Sequence, residues 1–230
     1  DLKEITLALA QAVRVTLGIL LIVLTASGAL TIWWLYLVIF VYGAFETLYD
    51  GAAPLPYADA HVHLQAEVYE DHLPGVIERA REAGVALFIS NATHPDDWER
   101  TLAIAERYEG VVPCLGVHPW FLDHGHSDWL PRLRDLLLAS GALVGEVGLD
   151  GLKTGTPLEA QRVVLEHQLD LAQSLRRPAM LHGVRAFGHL AEILARRAPW
   201  QAPFVMHAFA GSPEIVQRLA AMGSYFSYGG

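Results

Sequence analysis

From Tyr57 onward the chain repeats one pattern, a short apolar run followed by an amphipathic stretch, and that alternation confines it to βα units around a parallel sheet. Strands are expected near 57–63, 86–91, 111–117, 142–147, 178–182, 203–207 and 224–228, with helices between them. The clearest helix runs from Pro157 to Leu175, where Leu158, Val164, Leu165, Leu169, Leu171 and Ala172 form a helical stripe. Thr156-Pro157 reads there as an N-cap followed by proline at the first helical position. Seven strands are one short of a closed (β/α)8 barrel, and the last falls just before Gly229-Gly230. The expected fold is therefore α/β, an incomplete TIM barrel cut at its end.

Five residues that can bind metal fall at or near the C-terminal ends of these strands, where such barrels carry their catalytic groups: His61, His63, Glu146, His182 and His207. Side chains of a strand alternate with a period of two, so His61 and His63 point the same way. Four imidazoles and a carboxylate buried together without a cation or hydrogen bonds would be costly, which favours a metal site over a metal-free polar core. His94, His124, His126 and His189 lack such contexts and read as solvated or capping. His124-Gly-His126 imitates the first pair but sits in a polar loop.

The net charge of −9 leaves no basic footprint for binding phosphate, so bound cations would have to supply that attraction. Cys114 is the only cysteine, which excludes an intramolecular disulfide, and it reads as a small core residue.

The beginning of the chain is of another kind. Val15 to Phe45 contains no charged residue, a run longer than the roughly 20 apolar residues that cross a bilayer. Ser27-Gly28 is a plausible break, so two spans at about 5–27 and 30–49 compete with one long tilted helix. The organisation expected is a transmembrane helical hairpin over 1–50, a Pro- and Gly-containing linker over 51–56, and the barrel over 57–230. Contact with the membrane would run through residues 5–49, with the barrel part cytoplasmic.

Residues from about 58 to 230 resemble the TatD family of metal-dependent deoxyribonucleases. The resemblance rests on Asp59-Ala-His-Val-His63, Gly145-Glu-Val-Gly-Leu-Asp150, Leu181-His182 and Met206-His-Ala-Phe-Ala-Gly-Ser212. Secondary matches are Gly116-Val-His-Pro119 and the run from Gln161 through Gln168 into Leu169-Asp-Leu-Ala172. It implies a metal-dependent hydrolase barrel with two divalent ions, Mg, Mn or Zn, that hydrolyses DNA or another phosphodiester. His61 and His63 would hold the first ion, His182 and His207 the second, and Glu146 would bridge them as the catalytic carboxylate. His118 would contact a substrate phosphate or hold its loop, and Asp150 would be structural or lie behind the ligands. The family places an Arg two residues beyond the fifth-strand His, whereas Arg185 stands three beyond His182 as the matching phosphate-binding candidate. It also places an Asp on an eighth strand as ligand and general base, and no residue of this sequence matches it, so impaired activity is expected.

Ile32 to Ala52 resembles the fourth transmembrane helix of exporters in the major facilitator superfamily, and the residues before it resemble the third. Two such helices cannot form a transport path. Two functions remain open: a TatD-type phosphodiesterase, and a non-catalytic membrane-inserting chimera of a transporter fragment with an incomplete hydrolase. No protein partner is inferred.

Overall fold

A computed structural model describes residues 56–122, 128–152 and 155–227, all within the second of the chain's two units, Pro56–Gly230. The expected hairpin over 5–49 and the loop histidines His124 and His126 lie outside the described residues. Among the described residues no helix is long and apolar enough to cross a membrane.

Seven strands alternate with helices: β1 (Tyr57–Val62), α1 (Leu73–Glu82), β2 (Val85–Asn91), α2 (Trp98–Arg107), β3 (Val111–Leu115), α3 (Trp129–Ala139), β4 (Leu143–Asp150), α4 (Leu158–Leu175), β5 (Ala179–Val184), α5 (Phe187–Ala195), β6 (Phe204–Met206), α6 (Pro213–Ala220) and β7 (Ser224–Phe226). The strands form one sheet in the order of the sequence, and every neighbouring pair is parallel. β4 is the middle strand and is buried from Val144 to Asp150, as expected where side chains pack on both faces of a parallel sheet.

The sheet is strongly curled. Neighbouring strands are about 4.8 Å apart, so residues on β1 and β6 of a flat sheet would be separated by roughly 24 Å. Instead the rings of His61 and His207 stack with their centroids 3.7 Å apart. The core follows the curl: Val144, Val147 and Leu149 of β4, Leu181 of β5 and Met206 of β6 join Leu165 and Leu169 of α4 in the main buried cluster. A second cluster, with Leu64, Leu73, Ile77, Phe88, Ile104 and Val111, packs under the first strands.

Two expectations about element ends need correction. α4 begins at Leu158, and Pro157 is its N-cap with ψ 144 rather than its first helical residue. The Pro157 carbonyl accepts from the amides of Ala160 and Gln161, while the Thr156 carbonyl accepts from Gln161 Nε2. β4 and β5 run on to Asp150 and Val184, because Gly148 does not end the strand. A Cβ at Gly148 would strike the His182 carbonyl, so its absence is what lets the two strands stay paired through Leu149–Gly183 and Asp150–Val184.

Candidate metal centre

Glu146 occupies the centre of the curl. The residue before it, Gly145, has φ 153, and a Cβ there would lie 2.7 Å from Met180 Cβ, 2.8 Å from Met180 O and 2.9 Å from Cys114 Sγ. Glycine is thus required where β3 and β5 close on β4, and the next side chain enters the interior as a carboxylate only 2% exposed. Cys114 is buried beside it, as expected of a core cysteine. Burial pushes its thiol well above the usual range, and the charge of Glu146 adds to that.

The two oxygens of Glu146 face different histidines. Oε2 lies 3.2 Å from Nε2 of His61 and 3.6 Å from Nε2 of His63. Oε1 lies 3.0 Å from Nδ1 of His182, 3.0 Å from Nε2 of His207 and 3.5 Å from Nε2 of His118. Burial alone would raise the Glu146 carboxyl, but hydrogen bonds with His118, His182, His207 and His61 prevail and hold it well below its ordinary value. Burial lowers the pKa of both His61 and His118, against the pull of Glu146. Burial also acts downward on His182, but Glu146 and Asp150 flank its ring and together raise it.

Ring hydrogen bonds decide which nitrogens can present a lone pair. His63 Nδ1 is 2.6 Å from the Asn91 carbonyl, which can only accept, so its Nδ1 carries the proton and Nε2 is left free. His118 is the reverse. Its Nδ1 accepts from the Trp120 backbone amide at 3.2 Å, so in the neutral ring Nε2–H points toward Glu146. His118 therefore holds its loop and offers a hydrogen-bond donor, though its distances alone would group it with Glu146 and His182 around a cation. His182 presents Nδ1 to Glu146 while its Nε2 is 3.2 Å from Asp150 Oδ2, the carboxylate backing that commonly orients a metal-binding imidazole.

The donor set fits divalent cations. Ligand atoms about 2.0–2.1 Å from a tetrahedral ion stand about 3.3 Å from one another. The His61 Nε2 to His63 Nε2 separation is 3.3 Å, and both lie 3.2–3.6 Å from Glu146 Oε2. On the other side His182 Nδ1 and His207 Nε2 each stand 3.0 Å from Oε1, and the set whose ligand atoms all lie within 4.8 Å of one another there is His118, Glu146 and His182. Imidazole with carboxylate suits Zn or Mn, and the carboxylate admits Mg.

All five expected ligands thus come together, with His118 beside them. Arg185 does not join them: it is exposed, in a left-handed turn with φ 50 just past β5, and no polar contact among the described residues ties it to the cluster. His94 caps the turn before α2, its amide donating to Asp97 Oδ1 at 3.4 Å. Asp150 lies behind His182, one of the two placements expected for it, while sequence reasoning missed its tie to Trp120 and the roles of Gln161 and Gln168. Asp150 Oδ2 is shared between His182 and the indole N–H of Trp120, the latter at 2.7 Å. Gln161 clamps the end of β4 through both the amide and the carbonyl of Asp150, and Gln168 clamps Val117 after β3 in the same way. The signal for the glutamines was present, since both sit on the buried face of α4 two helical turns apart.

Comparison with known proteins decides what kind of barrel this is. Residues 58–230 match the family model of TatD related DNase. The chain belongs to that family. Human deoxyribonuclease TATDN3 is 32% identical over 190 residues, covering 76% of this chain and 69% of its own. The 3'-5' ssDNA/RNA exonuclease TatD of Cronobacter sakazakii is 32% identical over 177 residues, covering 75% and 66%. The crystal structure of the TatD homologue YjjV from Escherichia coli superposes with a TM-score of 0.69 at 32% identity, covering 74% of this chain and 66% of that one. The chain spans about two thirds of the length of the TatD relatives that it matches.

Proposed function

We propose that this TatD-family chain hydrolyses phosphodiester bonds of DNA at a two-metal site. The observation that carries the reading is the division of one buried carboxylate between two histidine pairs, Oε2 toward His61 and His63 and Oε1 toward His182 and His207. In this reading Glu146 with His61 and His63 would hold one divalent ion, and Glu146 with His182 and His207 a second, each Mg, Mn or Zn. Ions held in this way supply a water acidic enough to attack at neutral pH and offset charge on the phosphoryl oxygens.

The residues of the chain do the rest. Glu146 stays ionised because its histidine partners outweigh its burial. Asp150 fixes the ring of His182 so that Nδ1 keeps facing the carboxylate. His118 directs Nε2–H toward Glu146 and so helps hold the charge of that carboxylate, and the exposed Arg185 just past β5 is the candidate for contact with a substrate phosphate. With a net charge of −9 the chain has little general attraction for a polyanion, so binding should depend on metal.

Two of the similar proteins are named a deoxyribonuclease and an ssDNA/RNA exonuclease, which supports a nucleic-acid substrate. The family match takes in the whole cluster, and the non-catalytic alternative gains nothing from it. The uncharged run from Val15 to Phe45 supports a membrane tether over residues 5–49. The test is release of nucleotides from a labelled single-stranded oligonucleotide by the full chain with Mn, Mg or Zn. His61→Ala and Glu146→Ala should each abolish it, and undiminished release by both variants would overturn the reading.

A further inference from the structure

Trp120 is a large apolar side chain left 45% exposed right beside the buried cluster. Its ring meets that of His118 edge-on at 5.0 Å and that of His182 at 6.1 Å. Two hydrogen bonds among the described residues also hold it. The backbone amide donates to His118 Nδ1 at 3.2 Å, and the indole N–H donates to Asp150 Oδ2 at 2.7 Å. That oxygen is the one 3.2 Å from His182 Nε2, so one buried carboxylate fixes both the tryptophan and a ligand candidate. The other oxygen of Asp150 accepts the amide of Leu152, whose side chain is 58% exposed.

Exposing an indole forgoes apolar burial, and anchoring it in place costs rotamer freedom. Both costs are recovered when a flat apolar ligand covers a ring that needs no further ordering. We propose that Trp120 is the stacking platform for a nucleobase next to the scissile phosphate, and that it makes the site selective for single-stranded nucleic acid over phosphodiesters without bases. This rests on the proposed phosphodiesterase reading and supplies its substrate class. The Trp120 ring lies beside His118 and His182, so a phosphate held at the cluster places the attached nucleoside near it. Paired bases already stack on one another, whereas a single strand has faces free to use the platform.

The experiment is fluorescence anisotropy with the full chain in Mn, using labelled hexathymidylate and a hexamer of the same backbone with abasic sites. Base stacking on an aromatic side chain contributes about 1–3 kcal/mol, so the wild-type chain should bind hexathymidylate about 5- to 150-fold more tightly than the abasic strand. Trp120→Ala should bring that ratio close to one. Trp120→Phe keeps a ring but loses the indole N–H, and it should keep most of the preference. If Phe and Ala lose it equally, the tryptophan acts only through Asp150 and the platform is refuted. Binding of both strands by the wild-type chain without preference would also refute the platform while leaving the phosphodiesterase reading intact. Failure to bind either strand would overturn both.

Discussion

His61 of β1 and His207, the residue just past β6, stack ring on ring, 10° from parallel, although four strands lie between β1 and β6 in the sheet. Nothing local to either residue produces that contact; the curl of the sheet around Glu146 does. It places one histidine of each proposed pair against the other, with a single carboxylate serving both. Removing either should therefore empty one side of the site. His207→Ala is expected to lower the Mn stoichiometry in calorimetric titration from about two to about one, and His61→Ala to do the same from the opposite side. Unchanged stoichiometry in both variants would contradict the shared-carboxylate geometry.

Asp150 tests the support behind a ligand. Its Oδ2 faces His182 Nε2 at 3.2 Å, and losing such a partner commonly weakens metal affinity about 10- to 100-fold. Asp150→Ala should show a loss of that order by titration, and Asp150→Asn, which keeps an acceptor oxygen, a smaller one. Equal affinity in the wild-type and Ala proteins would remove Asp150 from the site.

Gly145 tests how β4 is seated. Gly145→Ala would force a side chain against Met180 and Cys114 at a φ of 153, and the combined overpacking and backbone strain should cost at least about 2 kcal/mol in urea unfolding. Gly141→Ala, where a Cβ meets nothing within 4 Å, serves as the control. Similar stabilities for the two variants would mean that β3 and β5 do not close on Gly145 as described.

The pH dependence of the metal-free protein follows from His182 and His61 with opposite signs. Burial alone would lower His182, but Glu146 and Asp150 raise it above its ordinary 6.5. Its contribution to stability is thus complete below that value and is lost as pH rises through the higher folded one. Burial holds His61 below 6.5, so its contribution is complete above 6.5 and is lost as pH falls through the lower folded value. Chemical denaturation at a series of pH values should show a decline above about pH 6.5 that His182→Gln abolishes. A decline that persists unaltered in the variant would assign it to another group.

Much of this was legible in the sequence because strands and their ends leave strong local marks. Apolar runs bounded by polar stretches located the seven strands, and His61 with His63, Glu146, His182 and His207 stood out because each falls at or near an expected strand end, although Glu146 and His182 lie inside strands that run on to Asp150 and Val184. The start of α4 was misplaced by one residue because Thr156-Pro157 fits two cap registers, and only the backbone torsions choose between them. Loop-holding by His118 and a place behind the ligands for Asp150 were each among the expected alternatives, but the choice between them, and the part of Trp120, were hidden for a different reason. They depend on which ring nitrogen carries a proton and on a hydrogen bond between Trp120 and Asp150 that spans thirty positions, and no periodicity encodes either. Gln161 and Gln168 lay in view as polar residues on an apolar helical face, but their partners are strand ends that only the packed structure brings near.

The most direct test is anomalous X-ray scattering from crystals of the full chain grown with Mn. Two peaks are expected, one on each side of the Glu146 carboxylate, the first against Nε2 of His61 and His63 and the second against Nδ1 of His182 and Nε2 of His207. A single peak, or none touching Glu146 in protein that binds Mn, would contradict the two-metal account.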